Sequence, residues 1–345
     1  MTLHSEIHEQ PDVLRRLLEN GRGAVDQVAA AIRQRNIDYV YLAARGTSEH
    51  AGIYGQYILG AFNGLPVALA APSLFTIYER PPRLTRALVI GVSQSGQSPD
   101  IVAVLSEAKR QGALTLAITN AAASPLAQAA DLSLDIMAGA ERSVAATKSY
   151  SAQLFTLAML STALADDATR FDELARVPAA VAEALKLDGS IAEAAARFRF
   201  MAHCVVLGRG YHFATALEWS LKLKELTYVV AERYSTAEFQ HGPIALIDPG
   251  FPVLAVAPHD AGAADTRALL RRLVVERGAE LLTLSDDDET LAEASLGLRL
   301  PAGVPGWLAP IVSIAPAQLF CNHLALARGL DPDTPRGLNK VTLTR

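Results

Sequence analysis

Short aliphatic runs alternate with longer segments of helical periodicity through most of the chain. Residues 39–43, 87–92, 114–119 and 132–134 are brief and apolar without alternation, the pattern of strands buried on both faces. Between them lie stretches such as 98–111, whose apolar residues recur every three or four positions. Strands alternating with helices predict a parallel sheet flanked by helices.

The pattern then repeats. Asp38-Tyr-Val-Tyr-Leu-Ala-Ala-Arg-Gly-Thr47 is answered by His203-Cys-Val-Val-Leu-Gly-Arg-Gly-Tyr211: strand, Arg-Gly, helix. Ala87-Leu-Val-Ile-Gly-Val92 is answered by Pro252-Val-Leu-Ala-Val-Ala257, and Gly112-Ala-Leu-Thr-Leu-Ala-Ile118 by Gly278-Ala-Glu-Leu-Leu-Thr-Leu284. Each offset is about 165 residues, too long for a solenoid repeat and right for a duplicated domain. The expected organisation is an N-terminal helical segment with a first α/β domain over 1–185, a second over 186–330, and a tail over 331–345. The alanine-rich stretch 178–197 carries the linking helix.

Composition narrows the class. Half of the 345 residues are hydrophobic and 19% are charged, which suits a folded chain that needs no disulfide. The net charge of −5 supplies no broad basic face, so no nucleic-acid partner is expected. The two cysteines stand far apart in apolar surroundings, and the eight histidines do not group with cysteines or carboxylates at zinc spacing. Reduced thiols, no metal and no redox cofactor follow as expectations, in a cytoplasmic protein. The polar, acidic start is no signal peptide. The uncharged run 300–327 holds Pro301, Pro305, Pro310 and Pro316 with Asn322 and His323, so it reads as a loop and a buried helix, not a membrane span.

Ligands of open α/β sheets sit beyond the carboxyl ends of the strands, which directs attention to four places. In Ser93-Gln-Ser-Gly-Gln-Ser-Pro-Asp100, three hydroxyls and an amide meet a helix start, with Ser98 as N-cap and Pro99 at the first helical position. This is either a phosphate cradle without a cation or an ordinary polar cap; it is not a Walker loop, since no Gly-Lys-Ser/Thr follows. A helix from 214 to about 230 carries Glu218, Lys222 and Glu225 on one stripe between apolar stripes. That stripe either moves protons in a cleft or forms a solvent-facing ladder of ion pairs. His241, before Gly-Pro, is an acid–base candidate or plain surface. Lys340 is a solvated charge unless the tail folds back over a site. Gly208-Arg-Gly-x-x-Phe213 lacks the third glycine of a dinucleotide loop, so a nicotinamide cofactor is not expected.

Seven motifs in order then resemble the sugar isomerase (SIS) superfamily, most closely the isomerase half of glucosamine-6-phosphate synthase, the glutamine:fructose-6-phosphate amidotransferase. They are Glu6-Ile-His-Glu-Gln-Pro11, Arg45-Gly-Thr-Ser48, Ser93-Gln-Ser-Gly96, the stretch Ala138-Gly-Ala-Glu-Arg-Ser-Val-Ala-Ala-Thr-Lys148, Ala216-Leu-Glu-Trp-Ser-Leu-Lys-Leu-Lys-Glu225, His241-Gly-Pro-Ile-Ala-Leu-Ile-Asp248 and Asp331-Pro-Asp-Thr-Pro-Arg-Gly-Leu-Asn-Lys340. The resemblance implies two tandem SIS domains, each a parallel sheet between helices, with the C-terminal tail closing the active site. It implies that Ser93, Gln94, Ser95 and Ser98 hold a sugar phosphate and that Thr47, Ser48 and Val144 line the sugar. Glu225 then moves a proton between C1 and C2, supported by Lys222 and Glu218. His241 opens the ring, reaching the neighbouring active site of a homodimer, and Lys340 forms a Schiff base with the open-chain ketose.

This chain departs from that pattern at Arg45, where the family has cysteine, and at Gln97 and Ser98, where it has Glu-Thr. Position 2 is Thr2, where a glutaminase domain needs a cysteine nucleophile, so ammonia from glutamine is not expected. The expected function is glucosamine-6-phosphate deaminase, giving fructose 6-phosphate and ammonia without a cofactor. Alternatives are a fructosamine-6-phosphate deglycase, another sugar-phosphate isomerase or aminotransferase, and a non-catalytic sugar-phosphate sensor. Nothing before Asn36 is long or basic enough for a helix-turn-helix.

Overall fold

The computed structural model describes residues 2–341. Two parallel five-stranded sheets form the frame. The first is built from β1 Tyr39–Ala43, β2 Val67–Leu69, β3 Ala87–Ser93, β4 Leu114–Thr119 and β5 Leu132–Asp135, in the order β2-β1-β3-β4-β5. The second uses β6 His203–Gly208, β7 Val230–Ser235, β8 Pro252–Val256, β9 Glu280–Ser285 and β10 Leu296–Arg299, in the order β7-β6-β8-β9-β10. The two orders are the same path traced twice, as the duplicated sequence requires.

In the first sheet, successive side chains go to opposite faces. Tyr41, Ala43, Val89 and Ala117 join Ile101, Val104, Leu105 and Ala108 of the Pro99–Arg110 helix in one core. On the other face, Leu42 packs against Gly52 of the Thr47–Asn63 helix, whose Gly55 in turn meets Leu157 of the Lys148–Ala165 helix. The second sheet packs Val205, Leu207, Val253, Ala255 and Leu281 against Leu269, Leu270 and Leu273 of the Ala263–Arg277 helix. Each such buried aliphatic side chain stabilises the fold by about 1.5–3 kcal/mol.

The chain divides into two compact units that do not follow sequence order. One holds the first sheet and comprises 12–141, 148–176 and 339–345; the other holds the second sheet and comprises 1–11, 142–147 and 177–338.

The helix expected to run to about residue 230 ends at Thr227, with Tyr228 in the left-handed conformation at φ 59°. The chain then enters β7, a strand that the apolar pattern did not reveal. β7 lies at the sheet edge and reads Val-Ala-Glu-Arg-Tyr-Ser, with Glu232 and Arg233 exposed. β2 escapes the pattern because it is only three residues long, and β10 because glycine and Arg299 break its apolar run. The run 300–327 is a loop followed by the Ala309–Ala327 helix. By length and composition that helix could cross a membrane, but it is buried in the protein, where Phe320 packs edge-on to Trp219 and Phe198. Cys204 and Cys321 are buried and unbridged, and burial pushes both thiols up.

Gly208 closes β6 where the chain turns back on itself: a Cβ there would lie 2.5 Å from the His212 carbonyl oxygen. Gly208→Ala should therefore lower stability by about 1–3 kcal/mol, read as a fall in the urea midpoint. An unchanged midpoint would show that the turn yields freely.

Candidate active site

In the first sheet β1 lies between β2 and β3. The connections leave β1 and β3 in opposite directions, the switch point at whose carboxyl ends ligands of such sheets bind. Thr47 and Ser48 begin the helix after β1; Ser93 ends β3, and Gln94, Ser95 and Ser98 occupy the loop after it. Ser48 is buried and its Oγ accepts a hydrogen bond from Gln153 Nε2 at 3.1 Å.

The loop after β3 is tied by its own polar groups. Ser93 Oγ accepts from the Gly96 N–H at 3.1 Å, Ser95 Oγ from the Gln97 N–H at 3.3 Å, and the Gln94 carbonyl from the Asn120 N–H at 3.1 Å. Gly96 takes φ +62°, and a Cβ on it would lie 2.1 Å from Ser124 Oγ, so glycine is required there. Ser98 occupies the N-cap position of the Pro99–Arg110 helix, yet its side chain makes no capping bond. The helix start thus retains the positive dipole end that favours an anion.

Arg45, one of the departures from the family pattern, pairs its Nε with the buried Asp100 carboxylate at 2.9 Å and offsets an acid in the first turn of that helix. The equivalent place in the second sheet is furnished differently. After β8, Asp260 accepts the N–H of Gly262, the N-cap residue of the Ala263–Arg277 helix, at 2.7 Å and lies 3.2 Å from His212 Nε2. Burial raises the Asp260 carboxyl, but His212 and the Gly262 N–H outweigh it and hold it below its ordinary range.

The second group lies on the Phe213–Thr227 helix. Lys222 Nζ is 3.3 Å from Glu218 Oε1 and 2.5 Å from Glu225 Oε2. Glu218 and Lys222 are fully buried; Glu225 is 22% exposed. Burial disfavours the Lys222 charge, but the two carboxylates overcome it and hold the ammonium well above its usual range. The sequence left open a solvent-facing ladder, and burial excludes it. Glu225, the member that reaches solvent, can exchange a proton with a ligand. It lines an open recess of about 240 Å³ with Lys224, Tyr228, Arg336 and Leu338.

The tail does fold back. The Arg336 N–H donates to Tyr228 Oη at 2.9 Å, and its guanidinium lies 3.9 Å above the Tyr228 ring. Lys340 Nζ donates to Glu141 Oε2 at 2.7 Å. Glu141 is buried and also accepts from the Ser149 N–H and Oγ at 3.0 and 2.8 Å. Residue-by-residue reading passed over Glu141, although a lone acid between Ala140 and Arg142 in a small, hydroxyl-rich stretch was a signal. Val144 is half-buried in the 142–147 loop, whose Arg142 and Ser143 N–H groups are held by the fully buried Glu6 carboxylate at 2.5 and 3.2 Å. His241 is exposed in the turn after the Thr236–Phe239 helix, its N–H bonded to the Glu238 carbonyl at 2.9 Å.

Removing the buried cation should be costly and removing the exposed acid much less so. Lys222→Met leaves the buried Glu218 and the partly exposed Glu225 without their partner and should cost about 3–5 kcal/mol. Glu225→Gln leaves the Lys222–Glu218 pair and should cost at most about 2 kcal/mol. Because the folded-state pKa of Lys222 is raised, its stabilisation is complete below roughly pH 10.4 and fades as pH rises toward the raised value. Urea unfolding of both variants at pH 7 to 9, and above pH 10.4, checks this; a Lys222→Met loss under about 1 kcal/mol would contradict it.

Comparison with known proteins agrees with the duplicated architecture. The SIS domain family matches residues 34–163 and 201–328. Glutamine–fructose-6-phosphate aminotransferase (isomerizing) of Pseudomonas aeruginosa is 38% identical over 355 residues, and that of Thermococcus kodakarensis 37% over 345. Each match covers 97% of this chain, which spans only 57% and 56% of those relatives' lengths. Among solved structures, the C-terminal domain of glucosamine-fructose-6-phosphate aminotransferase from Francisella tularensis superposes with TM-score 0.89 at 30% identity, covering 97% of this chain and 98% of that one. A glucosamine-6-phosphate deaminase from Thermotoga maritima shares the fold over 100% of both chains, with TM-score 0.83 at 23% identity. With both sheets matched in turn, the chain belongs to the SIS domain family.

Proposed function

We propose that the chain is a phosphosugar isomerase acting as a glucosamine-6-phosphate deaminase. The observation that carries this reading is the buried Glu218–Lys222–Glu225 group, in which one carboxylate reaches solvent. The neutral, hydroxyl-lined helix start after β3 supplies a place for a small phosphate monoester. In this reading His241 opens the sugar ring and Glu225 carries the C2 proton to C1, converting the open-chain aldehyde to a C2 imine. Lys340 attacks C2 and expels ammonia; water then cleaves the lysine imine and frees fructose 6-phosphate. Glu141, at 2.7 Å, is placed to take the proton that the Lys340 ammonium must shed before attack. Cys204 and Cys321 are buried with raised thiol pKa values, so neither suits a nucleophilic role. Unbridged thiols also fit a cytoplasmic setting. His241, being exposed, would serve a second copy, making the working form a homodimer.

One observation favours a second reading. The recess at Glu225 is flanked by Lys224 and Arg336, cations that suit the carboxylate of an amino acid. A fructosamine 6-phosphate carrying such a substituent would use the same proton transfer.

The test is release of ammonia and fructose 6-phosphate from glucosamine 6-phosphate, with glutamine neither needed nor stimulatory. Glu225→Gln and Lys340→Ala should each lose at least about 100-fold in turnover, and Glu141→Gln should lose turnover with little change in KM. Equal yields of both products support deamination. Turnover of fructosamine 6-phosphates alone would select the second reading, and Glu225→Gln retaining full activity would sink both.

A further inference from the structure

Three histidines converge on one carboxylate in the unit that holds the second sheet. His4 and His8 stand one turn apart on the Leu3–His8 helix, with ring centroids 4.6 Å apart. Asp188 opens the Asp188–Arg197 helix, and His323 lies near the end of the Ala309–Ala327 helix. His4 Nε2 is 2.8 Å from Asp188 Oδ2, His8 Nε2 is 3.3 Å from the same oxygen, and His323 Nε2 is 2.5 Å from Asp188 Oδ1. Ligand atoms of His4, Asp188 and His323 all lie within 4.8 Å of one another.

We propose that this cluster is a binding site for one divalent transition-metal ion of the zinc class. His4, Asp188 and His323 form it, supplying two nitrogens and one oxygen, and water completes the coordination. Ligand atoms around a tetrahedral ion with bonds of about 2.0–2.2 Å stand roughly 3.3 Å apart, within the 4.8 Å that bounds the three here, and an ion would replace the direct His–Asp contacts of 2.8 and 2.5 Å. Imidazole and carboxylate are the donors such ions prefer at neutral pH. The ligands come from three helices that meet, so the donor set is held by packing and not by a loop. His4 is 42% exposed, His323 18% and Asp188 28%, which leaves an entry path to a partly desolvated site. Sequence spacing gave no sign of this, because Asp188 is 184 residues from His4 and 135 from His323.

The site bears on more than the terminus. The same short helix carries Glu6, which holds the 142–147 loop, and the Leu3 N–H donates to Asp333 in the tail at 2.6 Å. An ion joining His4 to Asp188 and His323 therefore fixes the helix that supports both segments. The inference stands whether or not the chain is a deaminase.

The experiment uses the untagged 345-residue chain, stripped with EDTA and titrated with zinc chloride by calorimetry, with cobalt(II) as a spectroscopic substitute. The expected result is about one equivalent bound, visible cobalt absorption of a four-coordinate site, and a Tm raised by about 5 °C at saturation. The His4→Ala/His8→Ala double variant, whose side chains lie at the surface, should lose uptake and the Tm rise while its metal-free Tm stays near that of the parent. His323→Gln should weaken uptake at least about tenfold. No stoichiometric uptake, or uptake that the double variant retains, overturns the proposal.

Discussion

The ammonium of Lys222 sits where water cannot solvate it, and much of the second domain follows from that. An unpaired buried charge would cost several kcal/mol, so carboxylates must stand on both sides, and helical spacing places them at four residues before and three after. The helix must then be apolar on its other faces to enter the core, and Trp219, Leu223 and Leu226 meet that need. Ser220, on a further face, satisfies its hydroxyl at the Ala231 carbonyl of β7 at 2.7 Å. The result is a charged group held in one geometry by its own partners before any ligand arrives. Preorganised charge of this kind needs no reorganisation when a proton moves.

The duplicated topology gives two equivalent helix starts, and the side chains furnish them differently. In the first sheet the loop after β3 uses its serines to fold itself, and Asp100 in the first helical turn is met by Arg45 and the Ile101 N–H. In the second, Asp260 precedes the helix, accepts the Gly262 N–H and lies beside His212. The hydroxyl-rich loop belongs to the first sheet, and the central helix of the second carries the buried ion group.

Much of this was legible in the sequence, and the exceptions have physical causes. Central strands such as β3 and β4 announce themselves because both faces are buried and every residue is apolar or small. β7, at an edge, does not, since Glu232 and Arg233 break its apolar run and make it look like a loop. The phosphate-loop candidate was visible because its serines are adjacent in the chain, and the ion group because helical spacing is local. Burial was not visible: from sequence alone, Glu218, Lys222 and Glu225 read equally well as a surface ladder. Contacts across long separations stayed hidden altogether. Lys340 and Glu141 are 199 residues apart, and Glu6 and Arg142 are 136 apart; no periodicity connects them.

Those long-range contacts share a logic with Lys222. Glu6, Glu141 and Asp100 are all buried acids, and each is met by directed donors: backbone N–H groups at Glu6, Ser149 and Lys340 at Glu141, Arg45 and a backbone N–H at Asp100. A buried carboxylate is stable only if its lone pairs are filled, so each of these acids fixes the segments that fill them. Glu6 fixes the 142–147 loop, Glu141 the end of the tail, and Asp100 the Arg45 turn. In this chain the buried acids thus act chiefly as ties between segments that sequence separates. That explains how short, irregular stretches with few apolar residues of their own keep defined positions beside the helices and strands that carry the chemistry.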